Sequence, residues 1–255
     1  MKLTDTHCHL ADPALLGSLP QVFAAARAAG VCRFIVPATQ RSDFADVAAL
    51  SALPSVHIAL GIHPWFAGAA IERDFAELEQ QLLKHPKALV GEIGLDYGRA
   101  QTQAQRQRQI VVFEHQLVLA QRLHRPVIIH NLKAAAAIMQ SVKNCRFTQG
   151  GIVHAFSGSL EEARAFMDYG FKIGIGSLLL NPAARKARRA AAELPAENIV
   201  LETDSPFMLK NAVNTPANVQ KIAAAAAQLR GIKPEDLAAQ TERNVNALLA
   251  DINRL

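Results

Sequence analysis

Pro126-Val127-Ile128-Ile129-His130 is a run of branched aliphatic side chains closed by a histidine. It lacks the polar alternation of a strand with one wet face. It reads as a strand covered on both sides, the habit of parallel sheets. The same pattern recurs at Lys2–Thr6, Arg33–Pro37, Val56–Ile62, Ala88–Ile93, Gly151–His154, Phe171–Gly174 and Ile199–Thr203, each of strand length and rich in Val, Ile and Leu. Longer amphipathic stretches separate these runs. Pro20–Ala29 and Leu160–Tyr169 stop at glycine, and Asp43–Ala52, Ile71–His85 and Ala183–Glu193 stop near proline. Gln103–Leu123 is long, and Pro216–Leu229 and Pro234–Ala250 open with proline. Eight β–α alternations in 255 residues match the count and size of a (β/α)8 TIM barrel, an α/β fold. The competing arrangement is an open doubly wound sheet. No glycine-rich phosphate loop follows any of the strands, which counts against it. With no linker or charge block to divide the chain, one domain over residues 1–255 is expected.

Composition narrows the class further. Half the residues are hydrophobic, which excludes a disordered chain and leaves enough apolar surface for a large core. No apolar window reaches the roughly 20 residues of a membrane span. The opening Met1-Lys2-Leu3-Thr4-Asp5 has no apolar h-region, so no secretory signal is expected. Cys8, Cys32 and Cys145 are odd in number and without pattern, which points to free thiols in a reducing, cytoplasmic setting. The formal charge of +5 suits a polyanion such as nucleic acid, although a basic surface also serves plain solubility.

Chemistry-bearing residues gather where the strands end. In Asp5-Thr6-His7-Cys8-His9 the two-residue period of a strand aims His7 and His9 at one face and Cys8 at the other. Val90-Gly91-Glu92-Ile93-Gly94 places a carboxylate in an apolar run, where it is costly to bury unpaired. His130 and His154 each close a core strand. By the same period Glu202 and Asp204 share a face in Glu202-Thr203-Asp204-Ser205-Pro206, with Asp204 at the rim and Glu202 deeper. In a (β/α)8 barrel these strand ends meet at one mouth. Imidazoles and carboxylates together suit a divalent metal. The set of His7, His9, Glu92, His130, His154 and Asp204 exceeds one tetrahedral site. It implies two ions bridged by one carboxylate, with Glu92 the natural bridge.

The sequence resembles the TatD-type metal-dependent hydrolases, often called TatD deoxyribonucleases, from Asp5 to about Leu249. The resemblance rests on Asp5–Leu10, Gly61-Ile62-His63-Pro64, Gly91–Asp96, Val127–His130, His154–Ser159 and Glu202–Pro206. It implies a metallo-dependent hydrolase barrel with two divalent ions. His7, His9, Glu92 and Asp204 would hold one ion, and Glu92, His130 and His154 the other. It also implies exonuclease-like hydrolysis of DNA, commonly with magnesium; the histidine-rich set argues that manganese or zinc binds at least as well. The family pattern places an arginine shortly after the fifth-strand histidine. Here the run is His130-Asn131-Leu132-Lys133, and Lys133 is the substituting cation. Between Pro206 and Asn214-Thr215-Pro216 the segment is short and holds one cation, Lys210, as in a shorter branch of the family.

The expected chemistry is a metal-activated water with Asp204 as the base. His63 is read as a substrate contact, a support for a ligand or a purely structural residue, and Lys133, Arg185 and Lys210 as weaker candidates for phosphate contacts, the alternative for each being a solvated surface charge. The expected protein is a monomeric DNA hydrolase. The alternatives are a hydrolase of small phosphoesters, esters or amides, and a non-catalytic nucleic-acid-binding protein. Trp65 is the only tryptophan, so stacking platforms for bases are few.

Overall fold

The computed structural model describes residues 1–250 and 252; residues 251 and 253–255 of the expected domain lie outside that set. Its first half runs β1 (Leu3–Asp5), α1 (Pro13–Leu16), α2 (Leu19–Ala28), β2 (Val31–Pro37), α3 (Phe44–Leu50), β3 (Val56–Leu60), α4 (Glu72–Lys84), β4 (Leu89–Asp96) and α5 (Gln103–Arg122). The second half runs β5 (Val127–Leu132), α6 (Ala135–Asn144), β6 (Gly151–Val153), α7 (Leu160–Met167), β7 (Phe171–Ile175), α8 (Arg185–Glu193), β8 (Ile199–Leu201), α9 (Val219–Arg230) and α10 (Pro234–Leu249). All eight expected strands are present. They lie side by side in sequence order, and every neighbouring pair from β1 to β8 is parallel. Thr6, just past β1, donates its backbone N–H to Leu201 of β8 at 3.0 Å and so brings the two ends of the sheet together. This is the (β/α)8 architecture.

Two helices escape the sequence pattern. The short α1 is set by Asp12, whose carboxylate accepts from Ala14 N. The other, α6, opens on alanines without a side-chain cap, so no start signal marks it. Its helical signal is the burial of Val142 together with Ile138 and Met139, four and three residues before it.

The strand pleat sorts side chains into two layers. Phe34, Val36, Val90, Ile129, Val153 and their neighbours face outward and pack under the helices. Ile35, Ala59, Leu89, Ile128, Ile152 and Val200 face inward and form a separate apolar cluster with Val245, Leu249 and Ile252. The last helix thus plugs the barrel at the strands' N-terminal end. Asn244 of α10 fixes the plug by donating to the carbonyl of Ile199, where β8 begins, at 2.7 Å.

Candidate metal centre

Inward-facing residues two positions further along the strands reach the opposite end of the interior. Ile128 leads to His130, Ile152 to His154 and Val200 to Glu202. Strand β4 needs a further device, since strict alternation from Leu89 would turn Ile93 inward and Glu92 out. The β4–β5 register shifts between Val90 and Ile93, so Glu92 points in and Ile93 packs outward. Gly91 makes this possible: a Cβ there would lie 2.7 Å from Ile128 Cβ.

The first motif obeys the expected alternation past the end of its strand. Although β1 stops at Asp5, Cys8 N still donates to Ile35 O at 3.2 Å and His9 N to Ser205 O at 2.7 Å. Cys8 is buried, with its thiol toward Ile35 O, while the rings of His7 and His9 meet edge to face. The strand-period argument does not carry to Asp204, because β8 ends at Leu201. Asp204 takes a left-handed conformation, φ 57°, and is held by its N–H on His7 O at 2.8 Å.

These elements bring all six expected metal residues to one place. Nε2 of His7 and of His9 are 3.2 Å apart. Asp204 Oδ1 lies 3.4 Å from His9 Nε2 and 3.7 Å from His7 Nε2. Glu92 stands in the middle. Its Oε2 is 3.2 Å from His7 Nε2, and its Oε1 is 3.0 Å from His130 Nδ1 and 2.7 Å from His154 Nε2. By position alone, donor atoms converge closely enough for one ion at His7 with His9 and Asp204, at His7 with Glu92 and His154, and at His63 with Glu92 and His130. The donor set fits divalent metal: imidazole nitrogens and carboxylate oxygens converge with more lone pairs than protons can bridge.

His63 differs from the other histidines. Its Nε2 is 3.2 Å from Glu92 Oε1, but its Nδ1 accepts the N–H of Trp65. A neutral ring that accepts at Nδ1 carries its proton at Nε2. His63 therefore donates to Glu92 rather than offering a lone pair, in keeping with a supporting or substrate-contacting part. Lys133, Arg185 and Lys210 are exposed and absent from the walls of the cavity above the cluster.

Electrostatics follow from the crowding. Burial would raise Glu92, but His154, His63 and His7 hold it well below the carboxylate range. Burial pulls His7 down to about 4. For His154 burial is outweighed by Glu92, and the ring is pushed up to about 10. Burial likewise works against charge on His9 and His130, yet Asp204 raises the first and Asp96 with Glu92 the second. Asp204 is held low despite its burial by the hydrogen bond from His9 and by its histidine neighbours.

Three acidic residues complete the site without having been given these parts by the sequence. Asp5 is fully buried and accepts from Thr203 N, Thr203 Oγ1 and His7 N, tying together the two loops that carry His7 and Asp204. Asp96 is 1 % exposed, and its Oδ2 takes Trp65 Nε1 at 2.6 Å and faces His130 Nε2 at 3.3 Å. A ring whose other nitrogen meets a carboxylate is fixed in orientation and tautomer. Glu202, expected one pleat below the rim, is fully buried there. It accepts from Ala155 N and faces His154 Nδ1 at 4.0 Å. Gly174 makes room for it: a Cβ there would meet Glu202 Oε2 at 2.5 Å.

The family described as TatD related DNase matches residues 4–250. The chain belongs to this TatD family. An uncharacterized metal-dependent hydrolase of Escherichia coli K12, YjjV, is 36 % identical over 250 residues, covering 95 % of each chain. The crystal structure of YjjV superposes with a TM-score of 0.90 at 34 % identity, covering 96 % of this chain and 97 % of that one. A 3'-5' ssDNA/RNA exonuclease TatD of Edwardsiella piscicida is 32 % identical over 259 residues, with 96 % of this chain and 98 % of that one covered. As a member of the TatD family, the protein is a metal-dependent hydrolase. Among the described residues no helix is long and apolar enough to cross a membrane.

Proposed function

We propose that the protein is a deoxyribonuclease that hydrolyses phosphodiester bonds from a strand end, using two divalent ions that share Glu92. The observation that carries this reading is the division of the Glu92 carboxylate: Oε2 faces His7, while Oε1 faces His130 and His154. His7, His9, Glu92 and Asp204 would hold one ion, and Glu92, His130 and His154 the other. Bound there, magnesium, manganese or zinc supplies Lewis-acid polarisation of the phosphoryl group and lowers the pKa of water.

The chain's own side chains do the rest. Asp204 is ionised and partly open to the cavity, so it can take a proton from the attacking water. His63 donates to Glu92 through Nε2 and fixes that carboxylate's direction, and it also lines the cavity within reach of substrate. Lys133, on an exposed loop, is within the reading only as a cation for more distant phosphates. The relative named as an exonuclease supports nucleic acid as substrate. Free thiols at Cys8, Cys32 and Cys145 support a reducing, cytoplasmic setting, and we expect a monomer of one domain.

The test is hydrolysis by metal-stripped protein reloaded with magnesium, manganese or zinc. Single-stranded DNA, duplex DNA, RNA and small phosphodiesters and esters would be compared. Progressive shortening of single-stranded DNA from one end is the expected result. Turnover confined to small esters would reject the nuclease reading. That outcome is the second reading. It draws on the walls of the 460 Å³ cavity, where Trp65, Phe66, Phe207 and Met208 would suit a compact apolar leaving group.

A further inference from the structure

The ground on either side of the metal mouth is oppositely charged. Past His9 and Phe207 lies a cavity of 500 Å³ whose walls include Asp12, Asp43 and Asp46 and, among the described residues, no lysine or arginine. Past Trp65 lies one of 390 Å³ whose walls include Arg99 and Arg108 and, among the described residues, no carboxylate. Trp65 lines both the central cavity and this basic one. Trp65 is 50 % exposed, an unusual position for the chain's only tryptophan.

That exposed ring is held in place. Its Nε1–H is bound by Asp96, and the other oxygen of the same carboxylate takes Arg99 N at 2.9 Å. The Arg99 guanidinium lies over the indole, 3.7 Å from the ring centroid. One buried carboxylate thus fixes a stacked aromatic–cation pair and at the same time faces the ring of His130. Arg108 is not free in the same way, since its guanidinium is spent on the carbonyls of Ala67 and Ala70.

We propose that Trp65 and Arg99 seat the nucleotide next to the scissile phosphate, and that the rest of a single strand leaves the mouth along this side only. A base stacks on an outer face of this layered indole–guanidinium pair, and the Arg99 charge meets the adjoining phosphate. The acidic ground beyond Phe207 repels further phosphates, so the strand has its end there. This inference rests on the nuclease reading and adds to it a direction and a specificity-determining pair.

The experiment compares Arg99→Gln, Trp65→Leu and, as a control for net charge, Arg189→Gln, which removes an exposed cation of α8 paired with Glu193. Two readouts are taken on metal-loaded protein. The first is kcat and KM for a single-stranded oligonucleotide and for bis(p-nitrophenyl) phosphate. The second is the salt dependence of binding to a fluorescent phosphorothioate strand, followed by anisotropy. Arg99→Gln is expected to raise the oligonucleotide KM at least about 5-fold and to lower the slope of log affinity on log salt by about 0.7, one single-strand phosphate contact. Trp65→Leu should weaken strand binding about 5-fold or more, in line with the loss of one stacked base. Arg189→Gln should behave as wild type. Strand binding within 2-fold of wild type in both mouth variants overturns the proposal, as does an equal effect of Arg189→Gln. Wild-type protein that hydrolyses the small diester but neither binds nor cuts the strand rejects the nuclease reading, and the seat with it.

Discussion

The two ends of the barrel interior are built by the same strands yet behave as opposites. At the lower end Ile128, Ile152 and Val200 meet the α10 plug of Val245 and Leu249, all buried and apolar. Two residues higher, the same strands present His130, His154 and Glu202. There the chain buries carboxylates and imidazoles and accepts left-handed backbone at Lys133, Ala155 and Asp204, each just past a strand end. Non-glycine residues in that region cost of order 1–3 kcal/mol each and persist only where surrounding structure enforces them. The lower layer supplies stability; the upper layer consumes it to hold donors in place for chemistry. Separate mutations in the two layers should therefore have separate consequences.

The largest effect is expected at Glu92, whose two oxygens face different histidines. Glu92→Gln keeps the shape but removes the charge. It should lower metal content on elemental analysis and cut turnover roughly 10³-fold or more, the scale of losing Lewis-acid stabilisation worth several kcal/mol. Full metal content with near-normal turnover would remove Glu92 from the centre. Asp204→Asn is next. It retains a ligand oxygen and the backbone hydrogen bond to His7, but loses the base, so kcat should fall about 10² to 10⁴-fold with thermal stability near wild type. A kcat within a factor of three of wild type would assign the proton to another group.

How far the mouth could be read from sequence depends on which physical rule set each residue's direction. His130 and His154 were legible because an unbroken pleat carries them from buried strand residues. Glu92 was legible only through the cost of burying it, since its inward direction comes from a register shift that alternation does not encode. Asp204 is singled out by its rim position in the sequence, but its direction comes from a left-handed turn. Asp96 lies within the Gly91–Asp96 motif, yet the motif does not reveal its work, which depends on Trp65 and Arg99 arriving from a different loop and from its own turn. In the fold, α6 escapes the sequence pattern because its opening alanines carry no cap to mark its start.

The lower layer gives the third prediction. Leu249 is fully buried in the plug. Leu249→Ala removes methylenes and leaves a cavity among branched side chains that relax little. Destabilisation of about 2–5 kcal/mol is expected in urea unfolding. At temperatures where the variant remains folded, kcat and metal content should stay within 2-fold of wild type. A large loss of metal instead would mean that the plug and the mouth form one mechanical unit, and the contrast between the layers would fail.

The smallest effect concerns pH and acts on the upper layer alone. In metal-free protein His154 is pushed up to about 10, so its folded form holds a proton that the unfolded chain releases near 6.5. A group raised in this way contributes stability below about 6.5 and loses it as pH climbs through about 10. Metal-free protein should therefore become less stable across that window. Metal uptake requires the His154 lone pair and so displaces its proton, which makes apparent affinity rise with pH by up to tenfold per unit in the same range. His7, pulled down to about 4, is already neutral and contributes no proton there. Calorimetric titration of metal into stripped protein at pH 8, in two buffers of different ionisation enthalpy, counts the protons released. About one or more per protein is expected, and none would mean that His154 is neutral before metal arrives. Leu249→Ala should leave that proton count unchanged, because its cavity opens below the pleat that carries the histidines.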